Sequence, residues 1–524
     1  MAIKRYGANA DNTITNAFDA SLLNSNRATG SNMGRADVLE VFSIYGQISG
    51  SQADEFAGDS PELSRVLLQF PIDEVSTDRS NNKIPASGSV TWFLRMFNAE
   101  HAETIPRNYS MVIQAVSRSW EEGDGLDMDN YTDKTYGIIS GSNWVSSSID
   151  TPWTTPGGDY HALPVHTASF GDKGTEKLEV DVSDIVEQWI AGTKTNYGFG
   201  VRLSSSYEAL YSSSTGTYTG SLLHNPSGSE RSYYTKKFFA RESEFFFKRP
   251  LLEARWDDSK KDHRGAFYYS SSLAPASENL NTIYLYNYIR GRLRNIPSVG
   301  TGKLLVSLYS GSADDSAPSG SKLYLPAGGG VVTDGDVNIT ASYVETGIYS
   351  ASFAVTAAAT PLSTLYDVWH SGGVELNTGS ITPLSFDAQE ANTTDTHVVN
   401  IKNIKKSYST TDTGRFRLFV RKRNWSPTIY TVANATPQTL VIPSASYKVI
   451  RIADNQEVIG YGTGSTTNHT QLSFDSQGNY FNLDMSMLEP GYMYGIKLAF
   501  YDDAAGDYIE QKHTFKFRVE EDNE

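Results

Sequence analysis

The chain has 524 residues, too many for one hydrophobic core, so several domains are expected. Its 60 acidic and 44 basic residues leave a net charge of −16, which repels phosphate backbones and argues against a dedicated nucleic-acid binder. Cysteine is absent, which excludes disulfides, thiolate metal sites and a thiol nucleophile, and no apolar run is long enough to span a membrane as a helix.

The 31 Tyr and 23 Phe are interleaved with Ser, Thr, Asn and 43 Gly, a mixture that reads as strands and turns. Residues 1–16 carry Lys4 and Arg5 but no apolar stretch of a secretory signal, so a chain that folds in the cytosol is expected. A first strand is read around Val38, Phe42 and Ile44. Apolar alternation recurs over 65–70, which ends at Pro71, and over 89–97. The clearest helix is 183–192: Ser183 is placed to cap it, Ile185, Val186, Trp189 and Ile190 share one face, and Gly192 closes it. Further strands are read over 282–289, 302–309, 347–355, 415–420, 446–452, 494–500 and 514–519.

Short strands separated by Gly, Ser, Asn and Pro predict an all-β chain of mostly antiparallel strands. The expected architecture is an N-terminal jelly-roll β-sandwich followed by two smaller immunoglobulin-like β-sandwich domains. Two junctions divide it into 1–245, 246–390 and 391–524. The first is the run Phe245-Phe246-Phe247-Lys248-Arg249 before Pro250, and the second is the polar stretch 385–396.

Residues 20–205 resemble the DNRLRE-type jelly roll of bacterial and archaeal surface proteins, a module related to carbohydrate-binding modules. The resemblance rests on an ordered set: the arginine-led strand 65–70, the strand 88–96, Ser119-Trp120-Glu121-Glu122-Gly123, Val180-Asp181-Val182, Trp189, Gly192 and Asn196-Tyr197-Gly198-Phe199. The stretch 124–158 departs from it as an insertion. The C-terminal segments Leu488-Glu489-Pro490-Gly491-Tyr492 and Phe515-Lys516-Phe517-Arg518-Val519-Glu520 resemble terminal sandwiches of structural proteins from marine tailed phages. The whole chain is similar in style to virion proteins of myovirus-like phages. That resemblance implies a neck, tail or capsid-surface component that folds in the host cytoplasm and leaves by lysis.

Four groups of residues are candidate sites. Asp124, Asp127, Asp129 and Asp133 form an oxygen-rich loop that suits Ca²⁺, although the register is not that of an EF-hand; the other reading is a polar turn capping its own amides. Trp144, Trp153 and Tyr160 would form a platform for glycans or a protein partner if exposed, and plain core if buried. Arg415, Arg417, Arg421 and Arg423 fall at alternate positions of one strand and, with Lys402, Lys405 and Lys406, make a basic stripe for an acidic partner. His161 and His166 are five apart, on opposite faces of a strand, which reads as packing rather than a metal site.

The expected function is therefore non-enzymatic: a phage virion structural protein that assembles with other virion proteins and copies of itself, with host-surface glycans as a further partner of the jelly roll. The rivals are a polysaccharide-binding cell-surface or secreted protein, and a glycan-degrading enzyme using an acidic pair such as Glu122 with Asp127. No nucleic acid and no membrane are expected among its partners.

Overall fold

A computed structural model describes residues 2–17, 29–45, 61–101, 108–126, 141–171, 173–209, 225, 227–229, 232–275, 277–323, 339–356, 362–385, 396–426, 429, 439–463 and 468–522. The fold is all-β and divides into two compact units, Ala2–Trp256 and Asp257–Glu524. No helix among the described residues is long and apolar enough to cross a membrane.

The N-terminal unit is a sandwich of a four-stranded and a seven-stranded sheet. The four-stranded sheet runs in the order Ile3–Gly7, Leu251–Arg255, Thr91–Met96, Leu178–Asp181. The larger sheet runs Tyr234–Phe239, Val38–Tyr45, Pro61–Gln69, Phe199–Leu203, Tyr109–Val116, Tyr160–Phe170, with Ala10–Thr15 also paired to Pro61–Gln69. Alternation decides the facing: Trp92, Leu94 and Met96 are buried in the core between the sheets, while Thr91, Phe93 and Arg95 are half-buried on the other side.

The strand Pro61–Gln69 does not alternate because both of its faces are covered. Val66 and Leu68 enter the core between the sheets, whereas Leu63 and Leu67 pack with Ile14, Val116, Trp120, Trp144 and Trp153 in a second core on the opposite face. The stretch that looked like an insertion supplies the last two of these rings and so roofs the larger sheet.

Three expectations shift here. The expected end of the first domain at residue 245 moves to Trp256, because Leu251–Arg255 lies between Ile3–Gly7 and Thr91–Met96 in the four-stranded sheet. Pro250 precedes the first strand residue, where its missing N–H breaks no ladder bond, and its carbonyl accepts from Ala8 N at 3.2 Å. Pro71, read as a stop, also starts a helix, Ile72–Ser80, with Asp73 and Glu74 in its first turn and Arg79 in its last. In the expected helix, Ser183–Ile190, the capping role passes from Ser183 to Asp181, whose Oδ1 accepts from Ser183 N at 2.9 Å and Ser183 Oγ at 2.6 Å. Arg79 grips Glu187 with both terminal nitrogens, at 2.6 and 2.7 Å, and so ties the two helices together.

The unit Asp257–Glu524 holds two β-sandwiches. The first is one sheet folded on itself, in the order Asn281–Tyr286, Ile348–Phe353, Ile339–Glu345, Leu304–Gly311, Leu365–Ser371, Val374–Ile381. The fold in the sheet lies in Ile339–Glu345: its first three residues pair with Leu304–Gly311 and the following ones with Ile348–Phe353. Around Phe267, Ile283, Tyr349 and Trp369 this closes a single core.

The second sandwich sets His397–Ile401, Thr413–Lys422, Gly478–Asp484 and Ser473–Asp475 in one sheet. The other sheet runs Ser407–Ser409, Phe515–Glu520, Met493–Asp502, Ala445–Arg451, Glu457–Ile459. Ser407–Ser409 and Phe515–Glu520 pair in parallel, whereas the other paired strands of this sandwich are antiparallel. Its core includes the contacting rings of Tyr408, Phe416, Tyr447, Phe481 and Phe517. The expected division at 390/391 falls within 386–395, outside the described residues.

Candidate interaction surfaces

The proposed aromatic platform is not a surface. Trp144 is 0% and Trp153 5% exposed, both within the second core of the N-terminal unit. Trp153 Nε1 donates to Asn143 O at 2.9 Å, and the guanidinium of Arg65 lies 5.2 Å over the ring of Trp144. Tyr160 packs against the same cluster, donates its hydroxyl to Gly157 O at 2.8 Å, and lies 5.3 Å beneath Arg202. A Cβ on Gly157 would meet Trp144 at 3.0 Å, and its φ of +88° favours glycine, so the roof depends on that residue. Each ring removed from water here stabilises the fold, and none is free to stack on a sugar.

Of the four expected calcium ligands, only Asp124 lies within the described residues; Asp127, Asp129 and Asp133 lie outside them. Asp124 is exposed and faces Arg35 Nη2 at 3.3 Å, so the residue that can be placed meets a cation already within the chain. Among the described residues no group of three or more His, Asp or Glu could hold a metal. His166 Nε2 instead pairs with Asp184 Oδ1 at 2.7 Å.

The carboxylates of the N-terminal unit are tied into ionic networks. Glu253, almost fully buried, accepts from Arg5 Nε at 2.6 Å, Arg95 Nη1 at 2.9 Å and Arg255 Nε at 2.6 Å. Burial alone would raise its carboxyl, but the three guanidinium groups hold it well below the usual carboxylate range. Arg241 likewise clamps Glu122, at 3.1 and 3.0 Å, and its backbone N–H donates to Asp11 Oδ2 at 2.6 Å. Asp11 is fully buried and its Oδ1 has no partner among the described residues. Burial pushes its carboxyl up to about 7, against the bond from Arg241 and with the help of the Glu122 and Glu242 charges.

The basic stripe is only partly free. Strand Thr413–Lys422 buries Phe416, Leu418 and Val420, as the alternation requires, and presents Arg415, Arg417 and Arg421 on the other face. Arg417, however, is committed to Asp475 through two bonds of 2.6 and 2.8 Å. Arg415 and Arg417 both stack on Tyr480, at 4.1 and 5.0 Å. Arg423 lies beyond the end of the strand, and Arg421 sits 5.7 Å over Trp425. Lys402 and Lys405 cover the rings of Phe419 and Tyr408, and Lys406 is exposed. Arg417 is thus withdrawn from the expected docking face, because its partner Asp475 comes from a strand too far along the chain to be seen locally.

Asp475 belongs to a seam that joins the two C-terminal sandwiches. Segment 260–264 runs beside strand Ser473–Asp475: Asp262 N donates to Phe474 O at 3.0 Å, Phe474 N to Lys260 O at 2.9 Å, and Lys260 N to Ser473 Oγ at 3.0 Å. On the other side Arg264 grips the fully buried Asp367 at 2.6 and 2.7 Å, and Asp367 also accepts from Trp369 Nε1 at 2.7 Å. One short segment is therefore bonded into both sandwiches.

Sequence reasoning missed one surface. Tyr288–Ile289 and Arg292–Leu293 form a separate two-stranded hairpin, with Tyr288 55% and Ile289 44% exposed. The signal was present as Arg290-Gly291-Arg292 between apolar residues, but Tyr288 and Ile289 read as the end of the strand over 282–289.

No family model matches this chain, and no curated protein matches it. Among solved structures, tandem immunoglobulin repeats of Dlar align with 41% of this chain and 82% of theirs at 10% identity and a TM-score of 0.13. The N-terminal Ig1-2 module of the Drosophila receptor protein tyrosine phosphatase DLAR aligns with 46% of this chain and 90% of its own at 8% identity and a TM-score of 0.14. Scores this low identify neither a relative nor a partner.

Two outcomes are expected. Trp144→Ala opens a cavity under the roof and costs about 3–5 kcal/mol in urea unfolding of the N-terminal unit; a loss near zero would place the ring at the surface. Asp11 has a folded pKa near 7, above an unfolded value of about 3.9. The folded state therefore holds the extra proton between about pH 4 and 7. The contribution of Asp11 to unfolding free energy falls as pH rises through that window, by on the order of a few kcal/mol, and is level above it. Asp11→Asn, which keeps the acceptor for Arg241, removes this slope; an unchanged pH profile would contradict the assignment.

Proposed function

We propose that this chain is a non-enzymatic structural component of a tailed-phage particle, at the neck, tail or capsid surface, that binds neighbouring virion proteins and copies of itself. The observation that carries the non-catalytic part is the use of its buried and half-buried ionisable groups. Glu253, Glu122, Glu187, Asp367 and Asp475 are each gripped by arginine in fixed geometry. A general acid or base must approach a substrate and exchange a proton, whereas these groups brace strands and loops against one another. Rigid sandwiches with most of these carboxylates committed to arginines suit an assembly part that transmits load.

The phage assignment is supported by the similarity in style of the C-terminal segments to terminal sandwiches of marine tailed-phage structural proteins. The glycan reading of the jelly roll loses its platform, since Trp144 and Trp153 are core. Peptide mass spectrometry of washed, purified particles is expected to recover this chain in stoichiometric amount, with electron microscopy then placing it. Its absence from particles, or turnover of a polysaccharide by the purified chain, would overturn the proposal.

A further inference from the structure

Most arginines among the described residues are engaged by carboxylates or rings within the chain. The hairpin Tyr288–Leu293 differs. It stands apart from the main sheet of its sandwich, and Arg290, Arg292 and Arg294 are exposed, with no ion pair to their side chains among the described residues. Three positive charges within five positions, beside exposed Tyr288 and Ile289, contrast with a chain of net charge −16. Arginine and tyrosine around an apolar residue is the composition of interface hot spots.

The geometry of the turn strengthens the contrast. Arg290 and Gly291 have φ of +51° and +76°, the pair of left-handed residues of a tight hairpin turn. Asparagine or glycine adopts the first of those positions more readily than arginine. An arginine held there is a local cost in the fold, with no ion pair or ring contact of its side chain among the described residues to offset it. The base of the finger is fixed: Asn287 N donates to Gly347 O at 2.7 Å, Arg294 N to Asn287 O at 3.0 Å, and Gly347 N to Asn295 Oδ1 at 2.8 Å. A Cβ on Gly347 would meet Arg294 N at 2.7 Å, so this junction closes only around glycine. The finger is thus presented in one conformation, which lowers the ordering cost of docking.

We propose that this basic finger docks on the acidic surface of a second copy of the chain. This deepens the assembly reading above and rests on it. Charge complementarity chooses the partner: the finger's three cations need carboxylates, and another copy offers them in excess. One such acceptor is the exposed turn of the hairpin Met493–Asp502/Asp507–Glu510, with Asp503 and Asp507 beside the exposed Tyr501. A contact between two different surfaces of identical chains is head-to-tail, and it builds rings or filaments according to the rotation between copies.

Sedimentation velocity of the full chain, over a concentration series at low and at high ionic strength, tests this. Reversible self-association is expected at low salt, weakened by added salt. The variant R290E/R292E/R294E is expected to weaken it by about tenfold or more, and mixing that variant with D503R/D507R to restore it in part. Arg290→Asn is the control for folding: the strain is relieved, so its melting temperature stays equal or rises, while association still weakens. A wild-type chain that stays monomeric at every salt concentration, or association equal in the triple variant, would overturn the proposal. Capture of anionic vesicles or DNA by the finger without self-association would overturn it as well. Recovery of the chain from particles is read separately, so failure of the finger leaves the virion reading standing, and the reverse holds.

Discussion

The bonding of segment 260–264 to two sandwiches at once is the constraint from which the C-terminal unit takes its character. Linkers between sandwiches are commonly solvated and mobile, because few contacts cross them. Here segment 260–264, which precedes both sandwiches in the chain, extends a sheet edge of the second through backbone bonds to Phe474 and anchors the first through Arg264 and the buried Asp367. A buried ion pair of this kind contributes little net stability over an apolar pair, but removal of one partner leaves an uncompensated charge. Its effect is to fix one arrangement. Arg417 and Asp475 repeat the device on the outer face of the same sheet edge.

The same logic runs through the N-terminal unit, where Glu253 is held by three arginines and Glu187 by one. These charges are used internally, and the face read as a platform for sugars is roofed by its own tryptophans. Among the described residues, the outward-facing basic and aromatic side chains include those of the hairpin Tyr288–Leu293 and of parts of the strand Thr413–Lys422.

Much of the fold was legible because alternation is local. Trp92, Leu94 and Met96 against Thr91, Phe93 and Arg95, and Phe416, Leu418 and Val420 against Arg415 and Arg417, could be assigned from spacing alone. Burial of Leu67 on a second face could not, since the covering Trp144 lies outside any local window. The helix Ile72–Ser80 was missed because Pro71 ends a strand and begins a helix with the same ring constraint. The site residues were less legible than the fold. Exposure of a tryptophan, or the freedom of Arg417, depends on tertiary partners such as Asp475, 58 residues away. The finger could have been found, since Arg290-Gly291 between Ile289 and Arg292 has the pattern of a tight hairpin.

The joint between the two C-terminal sandwiches is most directly tested by hydrogen exchange of the intact chain across a urea series, read by mass spectrometry. If segment 260–264 locks them into one cooperative body, amides of Leu304–Gly311 and of Met493–Asp502 lose protection at the same urea concentration. Loss of protection in one sandwich while the other remains fully protected would show two independent modules and contradict the account.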